Sequence, residues 1–149
     1  MRAVVQRVKK ASVSVDSNII GNIKNGLLVY LGVGKLDDSC DLDYLVNKVL
    51  GLRIFEDSNE KMNLSISDVE GEILVISQFT LYGDARKGKR PSFTDSADPD
   101  IGNDYYNNFI DSLRKSGLKV ESGEFGANME VEYINDGPVT IIIDTKNKE

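Results

Sequence analysis

The sequence predicts a mixed α/β fold in which two sheets carry helices on one side. Segments with strand patterns outnumber segments with helical patterns by about three to one, whereas a doubly wound parallel sheet needs strands and helices in alternation. The chain has 149 residues, of which 40% are hydrophobic, and a chain of this size ordinarily buries one core. We therefore expect residues 1–149 to form a single domain with largely antiparallel sheets and two main helices.

The first 33 residues predict a run of strands. In residues 11–16 (ASVSVD) apolar and polar side chains alternate with a period of two, which is typical of a half-buried antiparallel strand. Residues 16–18 supply a turn, and residues 19–23 predict a short strand. Asn25 and Gly26 are a strong hairpin signal before a further strand at 27–33. The opening third is therefore expected to be a β-meander.

An amphipathic helix is predicted after Gly34. Residues 37–39 (DDS) supply capping side chains and negative charge for its beginning, and Gly51 ends it. The apolar residues fall at the spacing of one helical face: Leu42, Leu45, Val46, Val49 and Leu50. Residues 53–55 then favour a short strand, and residues 56–62 a polar loop.

The most apolar strand runs directly into a polar segment. Residues 72–76 (EILVI) are a nearly continuous apolar run bounded by Gly71, which is typical of a strand buried on both faces. The polar side chains of residues 77–81 (SQFTL) are therefore expected at the end of a central strand, where a rigid backbone can hold them in a fixed array.

The remaining third is predicted to contain a long loop, a helix and three strands. Glycines and prolines interrupt any periodicity in residues 83–102, and a long loop in a compact domain is usually functional or mobile. A second amphipathic helix follows, with an apolar face of Tyr105, Tyr106, Phe109, Ile110 and Leu113 and with Gly117 after its end. Strands are predicted at 118–120, 129–134 and 139–144, and the tail 146–149 is expected to fray.

Composition limits the compartment and the chemistry. No stretch approaches the roughly 20 apolar residues that span a bilayer, and Arg7 interrupts the place of a secretory apolar core, so we expect a cytoplasmic protein without membrane association. Cys40 is the only cysteine, which removes an intrachain disulfide and cysteine-based metal sites. We expect Cys40 to be a small apolar filler near a helix beginning.

The chain contains no histidine, which removes Ser-His-Asp, Cys-His and histidine-metal chemistry. A proton acceptor would have to be a carboxylate or lysine with a shifted pKa, a metal held by oxygen ligands, or a group on the substrate. The net charge of -6 disfavours unspecific binding to a polyanion. Residues 86–90 (RKGKR) hold four positive charges in five residues, so any nucleic acid is expected to bind locally.

Ser77, Gln78 and Thr80 are the first candidates for chemistry. Two hydroxyls and one amide lie within four residues, and the backbone amides beside them could polarise a developing oxyanion. The alternative is a strand end whose hydroxyls satisfy local hydrogen bonds. Thr80 is the obvious nucleophile, but its hydroxyl is weak without an adjacent base, so covalent catalysis is disfavoured.

Three further positions allow two interpretations each. Gly137 and Pro138 are typical of a tight hairpin turn, and an X-Pro bond is cis only about one time in twenty, so the residues alone do not predict a cis bond. Arg7, among valines, is either a solvated residue, which the pattern favours, or a buried clamp. Phe125 either packs in the core or presents a ring on which a base stacks.

Together, these segments resemble one known family. Residues 77–81 (SQFTL), continued by YGD, and residues 135–140 (NDGPVT) match the two signature segments of the D-aminoacyl-tRNA deacylase (D-tyrosyl-tRNA deacylase) family. The resemblance extends from Met1 to about Asp144 and includes the opening RAVVQRV. It implies a three-layer β/β/α arrangement and cofactor-free, metal-free hydrolysis of D-aminoacyl-tRNA to tRNA and amino acid. It also implies a homodimer whose interface forms the pocket.

The resemblance implies a role for each residue of the first segment. Gln78 and the backbone amides around Phe79 and Thr80 would orient and polarise the ester carbonyl, with Ser77 beside them. The 2'-hydroxyl of the terminal adenosine of the tRNA would assist hydrolysis, so the protein would position the ester rather than supply a base.

The other implied roles concern selectivity and RNA contact. Gly137 and Pro138, joined by a cis bond, would reach into the pocket of the partner subunit and reject L-residues by a clash, so that D-aminoacyl-tRNAs and glycyl-tRNA are substrates. Arg7 would hold this loop. In residues 124–129 (EFGANM), Phe125 would stack on the terminal adenine and Met129 would contact the substrate. Residues 87–93 (KGKRPSF) would contact phosphates near the acceptor end.

Two other classes of function stay open. A non-catalytic nucleic-acid-binding module could share the fold, although a pure binder is expected to carry a wider basic surface. A metal-dependent phosphohydrolase could use Asp84, Asp95 and Asp98, although their scatter is not the spacing of a metal site.

Overall fold

The fold is organised around one long strand in a computed structural model that describes residues 1–148. The elements in chain order are β1 (Arg2–Val15), β2 (Asn18–Ile23), β3 (Gly26–Gly32), α1 (Ser39–Gly51), β4 (Phe55–Glu56), β5 (Met62–Leu64), β6 (Glu72–Ser77), a 3₁₀ helix (Phe79–Tyr82), α2 (Pro99–Arg114), β7 (Val120–Ser122) and β8 (Glu130–Asp144). The main sheet has the order β2-β1-β3-β6-β7, and β8 pairs with the other edge of β1. The pairs of β6 with β3 and with β7 are parallel, and the other pairs are antiparallel.

The expected β-meander is wrong in one respect. Asp16 and Ser17, both with positive φ, form the turn after β1, as the turn prediction at 16–18 required. The hairpin predicted at Asn25 and Gly26 is absent, because β2 and β3 pair with successive halves of the same edge of β1. Gly26 instead permits a close approach of backbones, since a Cβ there would overlap the Glu72 carbonyl group at the beginning of β6.

The molecule has three layers, β/β/α, with a hydrophobic core on each side of the middle layer. The larger core lies between the sheet and the two helices and includes Val5, Val29, Val75 and Phe109. The smaller core includes Val13, Leu28, Leu74 and Ile76. It forms because the second half of β1 and its partner β2 lie over the other face of β6. A Cβ on Gly21 in β2 would lie 3.2 Å from Leu74 Cδ1. The expected mixed α/β class and its layers are thus confirmed.

The helix α1 begins and packs as predicted. Asp38 is the N-cap and forms a capping box with Asp41: the Asp41 amide donates to Asp38 Oδ1 at 3.1 Å, and the Asp38 amide donates to Asp41 Oδ2 at 3.0 Å. The predicted apolar face is buried except for Leu50, which is half-buried. Cys40 is exposed, so the expectation of an apolar filler is wrong: it lies on the solvent side of the first turn.

Helix α2 begins earlier than its apolar pattern indicates. It starts at Pro99, whose fixed φ is compatible with a first helical position, so residues 99–102 are not part of the irregular loop. Ile101 in this first turn is exposed, which is why the turn lacks an apolar period. Residues 56–62 were predicted to be a polar loop, but Glu56 and Met62 pair in the β4-β5 hairpin and only residues 57–61 form its turn. The short strand β5 was not predicted.

The C-terminal strand is continuous, contrary to the prediction of two strands joined by a tight turn. β8 pairs with β1 from Ser14↔Glu130 to Arg2↔Asp144, and the register shifts on both sides of Val8, between Gln6 and Val8 and between Val8 and Lys10 of β1. Residues 136–139 therefore bulge out of a single strand, because both of their flanks pair with the same partner strand.

The predicted fraying does not hold for Lys146. Its Nζ donates to Asp41 Oδ2 at 2.6 Å and to the Leu36 carbonyl at 3.0 Å. Although burial raises the pKa of Asp41, hydrogen bonds from Lys146 and Thr145 hold that pKa well below its usual value. Glu149 lies outside the described residues. Within residues 1–148, no helix has the length and hydrophobicity to cross a membrane.

Candidate active site

The polar segment lies at the carboxyl end of a fully buried strand. The side chains from Ile73 to Ile76 in β6 are buried between the two cores, and β6 ends at Ser77. The Gln78 amide extends the ladder by donating to the Leu31 carbonyl at 2.8 Å. The backbone then turns into the 3₁₀ helix. A strand held on both edges therefore fixes the position of the polar side chains, as the apolar run predicted.

Two backbone amides are free at this strand end. The first amides of a helix have no acceptor within it, and among residues 1–148 neither the Phe79 nor the Thr80 amide donates a hydrogen bond. The Gln78 side-chain amide donates to Thr80 Oγ1. The Thr80 hydroxyl is thus hydrogen-bonded to the Gln78 side chain. The backbone amides of Phe79 and Thr80 remain available to donate to an oxyanion or a carbonyl oxygen.

The strand end forms one wall of a cavity of about 700 Å³. Ser77, Gln78 and Phe79 contribute from the strand end, and the other walls come from Phe93 and Thr94, from residues 96–99, and from residues 125–127, Met129 and Val131. The ring of Phe79 meets that of Phe93 edge to face, with centroids 5.1 Å apart. The cavity is mostly apolar with a few polar groups, which is the usual character of a small-ligand site.

Helix α2 holds the wall that contains Phe125. The Phe125 ring lies beside Tyr106, with centroids 6.0 Å apart, and Gly102 leaves room for it, since a Cβ there would lie 3.3 Å from the ring. The Tyr106 hydroxyl oxygen lies 3.0 Å from the carbonyl oxygens of both Val75 and Gly123, which share its single hydrogen. Burial raises the pKa of Tyr106 to about 12, so this donor stays protonated near neutrality.

The bulge at residues 136–139 of β8 is the second part of the candidate site. The Gly137-Pro138 peptide bond is cis, and Gly137 has φ of +115°, in the region that favours glycine. The Asn135 side-chain amide closes the bulge by donating to the carbonyl groups of Arg7 and Val139, each at 3.0 Å. Gly137 and Pro138 are exposed, whereas Val139 returns to the core.

A family model described as D-Tyr-tRNA(Tyr) deacylase matches residues 4–144. The chain belongs to this family. Three proteins named D-aminoacyl-tRNA deacylase are similar to it over nearly their whole length. That of Thermosipho africanus is 57% identical over 146 residues, with 98% of each chain covered. Those of Thermotoga petrophila and Clostridioides difficile are 59% and 56% identical over 145 residues, with 97% of each chain covered.

Two solved structures share the deacylase-family fold. One is named c-Myc DNA Unwinding Element Binding Protein; it is 42% identical, has a TM-score of 0.91, and the match covers 97% of this chain and 98% of that one. The other is described as a probable eukaryotic D-amino acid tRNA deacylase, with 23% identity, a TM-score of 0.81, and coverage of 95% and 97%. The second likeness concerns the fold alone.

Arg7 is buried, so the solvated interpretation is wrong. Only 6% of the residue is exposed. Its Nη1 donates to the Ile54 carbonyl at 2.7 Å, and its Nε lies 3.3 Å from Asp136 Oδ2. A Cβ on Gly137 would lie 2.9 Å from Arg7 Nη2. The guanidinium group therefore lies directly against the bulge, in space that a side chain at position 137 would occupy.

In this family member, the predicted site residues fall into two groups. The cavity brings together Ser77, Gln78, Phe79, Phe125 and Met129, with Thr80 beside Gln78. Arg7, Gly137 and Pro138 form the other group, and they do not line the cavity of their own chain. The cavity residues Thr94, Ser96, Ala97, Pro99 and Val131 were not predicted; the sequence signal for the wall formed by the long loop is Phe93, an aromatic residue in an otherwise polar loop.

The carboxylates of the phosphohydrolase alternative do not converge. Asp84 pairs with Arg86 at 2.7 Å, and Asp95 pairs with Lys35 at 3.1 Å, while Asp98 is part of the cavity lining. Within residues 1–148, no three aspartate, glutamate, cysteine or histidine side chains lie close enough together to hold a metal ion. The arrangement therefore gives this alternative no ligand set.

Proposed function

We propose that the protein hydrolyses the ester bond of D-aminoacyl-tRNA and releases free tRNA and the D-amino acid. The main support is the mostly apolar cavity that Ser77, Gln78 and Phe79 line at a rigid strand end, beside which the Phe79 and Thr80 amides donate no hydrogen bond among residues 1–148. Relatives that are 56 to 59% identical carry the name of this activity. We place the activity in the cytoplasm, where aminoacyl-tRNA is used.

In this mechanism the protein positions the ester and stabilises charge. The carbonyl oxygen of the ester accepts hydrogen bonds from the Phe79 and Thr80 amides, which polarise the carbonyl carbon. Water attacks that carbon, the bond to the 3'-oxygen of the terminal adenosine breaks, and the 3'-oxygen takes up a proton. The neighbouring 2'-hydroxyl of the RNA assists, because the chain has no histidine and the Thr80 hydroxyl is bonded to Gln78.

A homodimer completes the site. One face of the sheet carries Val4, Tyr30 and Ile142 side by side, and Ile142 is 77% exposed. On the same face, Gln6 Oε1 is buried without a hydrogen-bond donor among residues 1–148. An unsatisfied buried acceptor costs about 1–3 kcal/mol, so a second copy that covers this face and supplies a donor would stabilise both chains.

Across this interface the Gly137-Pro138 bulge enters the cavity of the partner subunit. Its carbonyl groups lie against the α-carbon of the substrate and leave room only for hydrogen on the face where an L-residue carries its side chain. Selectivity therefore arises from a clash rather than from a preferred contact. Glycine has hydrogen on both faces, so glycyl-tRNA is cleaved as well. The ring of Phe125 offers a surface for the terminal adenine, and Met129 contacts the aminoacyl group.

The deciding experiment incubates the purified protein with matched D-tyrosyl-tRNA, L-tyrosyl-tRNA and glycyl-tRNA, with and without a chelator. We expect cleavage of the D-ester and of glycyl-tRNA, little cleavage of the L-ester, and no effect of the chelator. Equal rates for the D- and L-esters would refute selection by the bulge, and abolition by the chelator would favour a metal-dependent hydrolase.

A second candidate is binding of nucleic acid without catalysis. The solved structure that is 42% identical bears the name of a DNA-unwinding-element binding protein. The net charge of -6 gives such a role little electrostatic support in this chain. If the chain binds single-stranded DNA tightly and leaves D-tyrosyl-tRNA intact, this candidate replaces the first.

A further inference from the structure

The lining of the cavity carries a single charge, and that charge is negative. In the described part of the chain, residues 1–148, Asp98 is the only charged residue that lines the cavity. The other lining residues are apolar or carry neutral hydroxyl and amide groups. A lone carboxylate in mostly apolar surroundings favours a ligand that brings a positive charge.

The Asp98 carboxylate has no partner in the protein that would explain it. Asp98 is the N-cap residue of α2, but its side chain accepts no cap hydrogen bond. Among residues 1–148 no lysine or arginine side chain lies within 4.0 Å of it, and Lys35 pairs with Asp95 instead. Asp98 is exposed, so its carboxylate is free to accept hydrogen bonds from a ligand.

Asp98 is held close to the strand end. The Gln78 amide donates to the Leu31 carbonyl at 2.8 Å, and the Ala97 amide donates to the Val33 carbonyl at 2.9 Å. Leu31 and Val33 are two residues apart at the end of β3, so the two points of attachment lie only about 7 Å apart. A small ligand bound at the strand end therefore lies next to the segment that carries Asp98.

We propose that Asp98 binds the α-ammonium group of the aminoacyl ester. The inference rests on the proposed function, in which the ester carbonyl lies at the Phe79 and Thr80 amides. Every aminoacyl ester carries its ammonium group on the carbon next to that carbonyl group, so the positive charge enters the cavity whichever side chain is present. An ammonium group only donates hydrogen bonds, and a carboxylate only accepts them. The terminal adenosine brings no positive charge, so the aminoacyl part is the better partner.

An anchored ammonium group also sharpens the selectivity of the bulge. If the carbonyl group alone is fixed, the α-carbon still rotates about the bond that joins the two carbons. An L-ester would then turn its hydrogen toward the partner's bulge and escape the clash. When Asp98 holds the ammonium group, a change of hand must exchange the hydrogen and the side chain. Asp98 is therefore a specificity-determining residue as well as a binding residue.

The test compares Asp98→Asn with wild type on D-phenylalanyl-tRNA and on D-phenyllactyl-tRNA, in which a hydroxyl group replaces the ammonium group. Asparagine is as good an N-cap as aspartate, so the substitution removes the charge and spares the beginning of α2. The control, Asp100→Asn, removes the same charge from the first turn of α2, at a residue that does not line the cavity. Each variant is compared with wild type on the same substrate, because the two esters differ in intrinsic reactivity.

We expect Asp98→Asn to lower kcat/KM on D-phenylalanyl-tRNA about fivefold, the upper figure for an exposed ion pair, and to change it less than about twofold on D-phenyllactyl-tRNA. Asp100→Asn should stay within about twofold of wild type on both esters. Equal losses of Asp98→Asn on the two esters would overturn the inference and assign Asp98 to the adenosine or to the fold. An unchanged rate on D-phenylalanyl-tRNA would overturn it as well.

The role in selectivity has its own readout. The ratio of L- to D-phenylalanyl-tRNA cleavage should rise in Asp98→Asn and stay at the wild-type value in Asp100→Asn. A ratio that does not rise in Asp98→Asn would refute this role.

A binding measurement separates this inference from the proposed function. The probes are the amides that D-phenylalanine and D-phenyllactic acid form with 3'-amino-3'-deoxyadenosine, since their bond resists cleavage. If wild type cleaves neither ester, the proposed function fails, and calorimetry with the two amides still decides. Weaker binding of the aminoacyl amide alone by Asp98→Asn supports the inference, whereas equal binding of that amide by variant and wild type contradicts it.

Discussion

The strand end at Ser77–Thr80 and the bulge at Gly137-Pro138 are held in place in opposite ways. The strand end continues a buried strand with a neighbour on each edge, and its free groups are backbone amides. The bulge interrupts a strand that pairs with β1 alone within residues 1–148, and side chains of Arg7 and Asn135 hold it. A backbone ladder tolerates the loss of a side chain, whereas the bulge depends on two of them.

The difference assigns separate tasks to the two regions. In the proposed mechanism, groups that polarise a carbonyl act on D- and L-esters alike, so we assign the reaction rate to the strand end. The bulge lies outside the cavity of its own chain and, in the proposed dimer, meets the α-carbon of the substrate in the partner. Substitutions at the bulge should therefore change the ratio of L- to D-ester cleavage, and substitutions at the strand end should not.

The largest effect is expected for Arg7→Met. It leaves Asp136 and the Ile54 carbonyl without their cationic partner, and breaking a buried pair costs about 3–5 kcal/mol, here toward the lower figure because Asp136 is partly exposed. The L-to-D ratio of kcat/KM should rise about tenfold or more, since about 1.4 kcal/mol of lost discrimination is a factor of ten. Arg7→Lys keeps the positive charge but lacks the planar guanidinium group, so its L-to-D ratio should lie between those of wild type and Arg7→Met. An unchanged L-to-D ratio in a folded Arg7→Met protein would contradict the assignment of selectivity to the bulge.

Asn135→Ala should have a smaller effect in the same direction. It removes the donor to the Arg7 and Val139 carbonyl groups, each worth about 0.5–1.5 kcal/mol. We expect a lower midpoint in chemical denaturation together with a higher L-to-D ratio. Loss of stability with an unchanged ratio would mean that the bulge keeps its shape without Asn135.

Tyr106→Phe tests the cavity wall without touching the bulge. The variant loses the hydroxyl whose hydrogen the Val75 and Gly123 carbonyl groups share, at a cost of about 1–2 kcal/mol in the free energy of unfolding. The rates on the D- and L-esters should fall together, as single-turnover assays would reveal. A change in the ratio would place part of the selectivity in this wall.

Thr80→Ala is expected to have the smallest effect. The substitution keeps the backbone amide and removes a methyl group and the hydroxyl that accepts a hydrogen bond from Gln78. The single-turnover rate on D-tyrosyl-tRNA should stay within about threefold of wild type, a difference below about 1 kcal/mol in the barrier. Complete loss of activity with the fold intact would make Thr80 a nucleophile or base.

The sequence predicted the elements whose patterns are local. The apolar faces of α1 and α2 and the buried strand at 72–76 follow from periodicity, and the structure has them. The N-cap, Asp38, lies within residues 37–39, whose side chains predicted the cap. The strand-end position of Ser77 follows directly from that apolar run. A resemblance in residues 77–81 and 135–140 indicated the family, which the family model confirms.

The errors concern features that depend on distant partners. Asn25 and Gly26 have the composition of a turn, but β1 is long enough to pair with both β2 and β3, and that choice depends on the whole sheet. Residues 136–139 also look like a turn until β1 pairs with both flanks. Arg7 resembles a solvated residue because its partners, Ile54 and Asp136, are remote in sequence.

The most direct test of the division of tasks is the L-to-D ratio of single-turnover rates for Gly137→Ala, measured with matched tyrosyl-tRNAs beside wild type. Gly137 has φ of +115°, and a Cβ there meets Arg7 Nη2 at 2.9 Å, so the bulge must move while the strand end stays in place. We predict that the L-to-D ratio rises. Equal losses on both esters, with the ratio unchanged, would contradict the division of tasks.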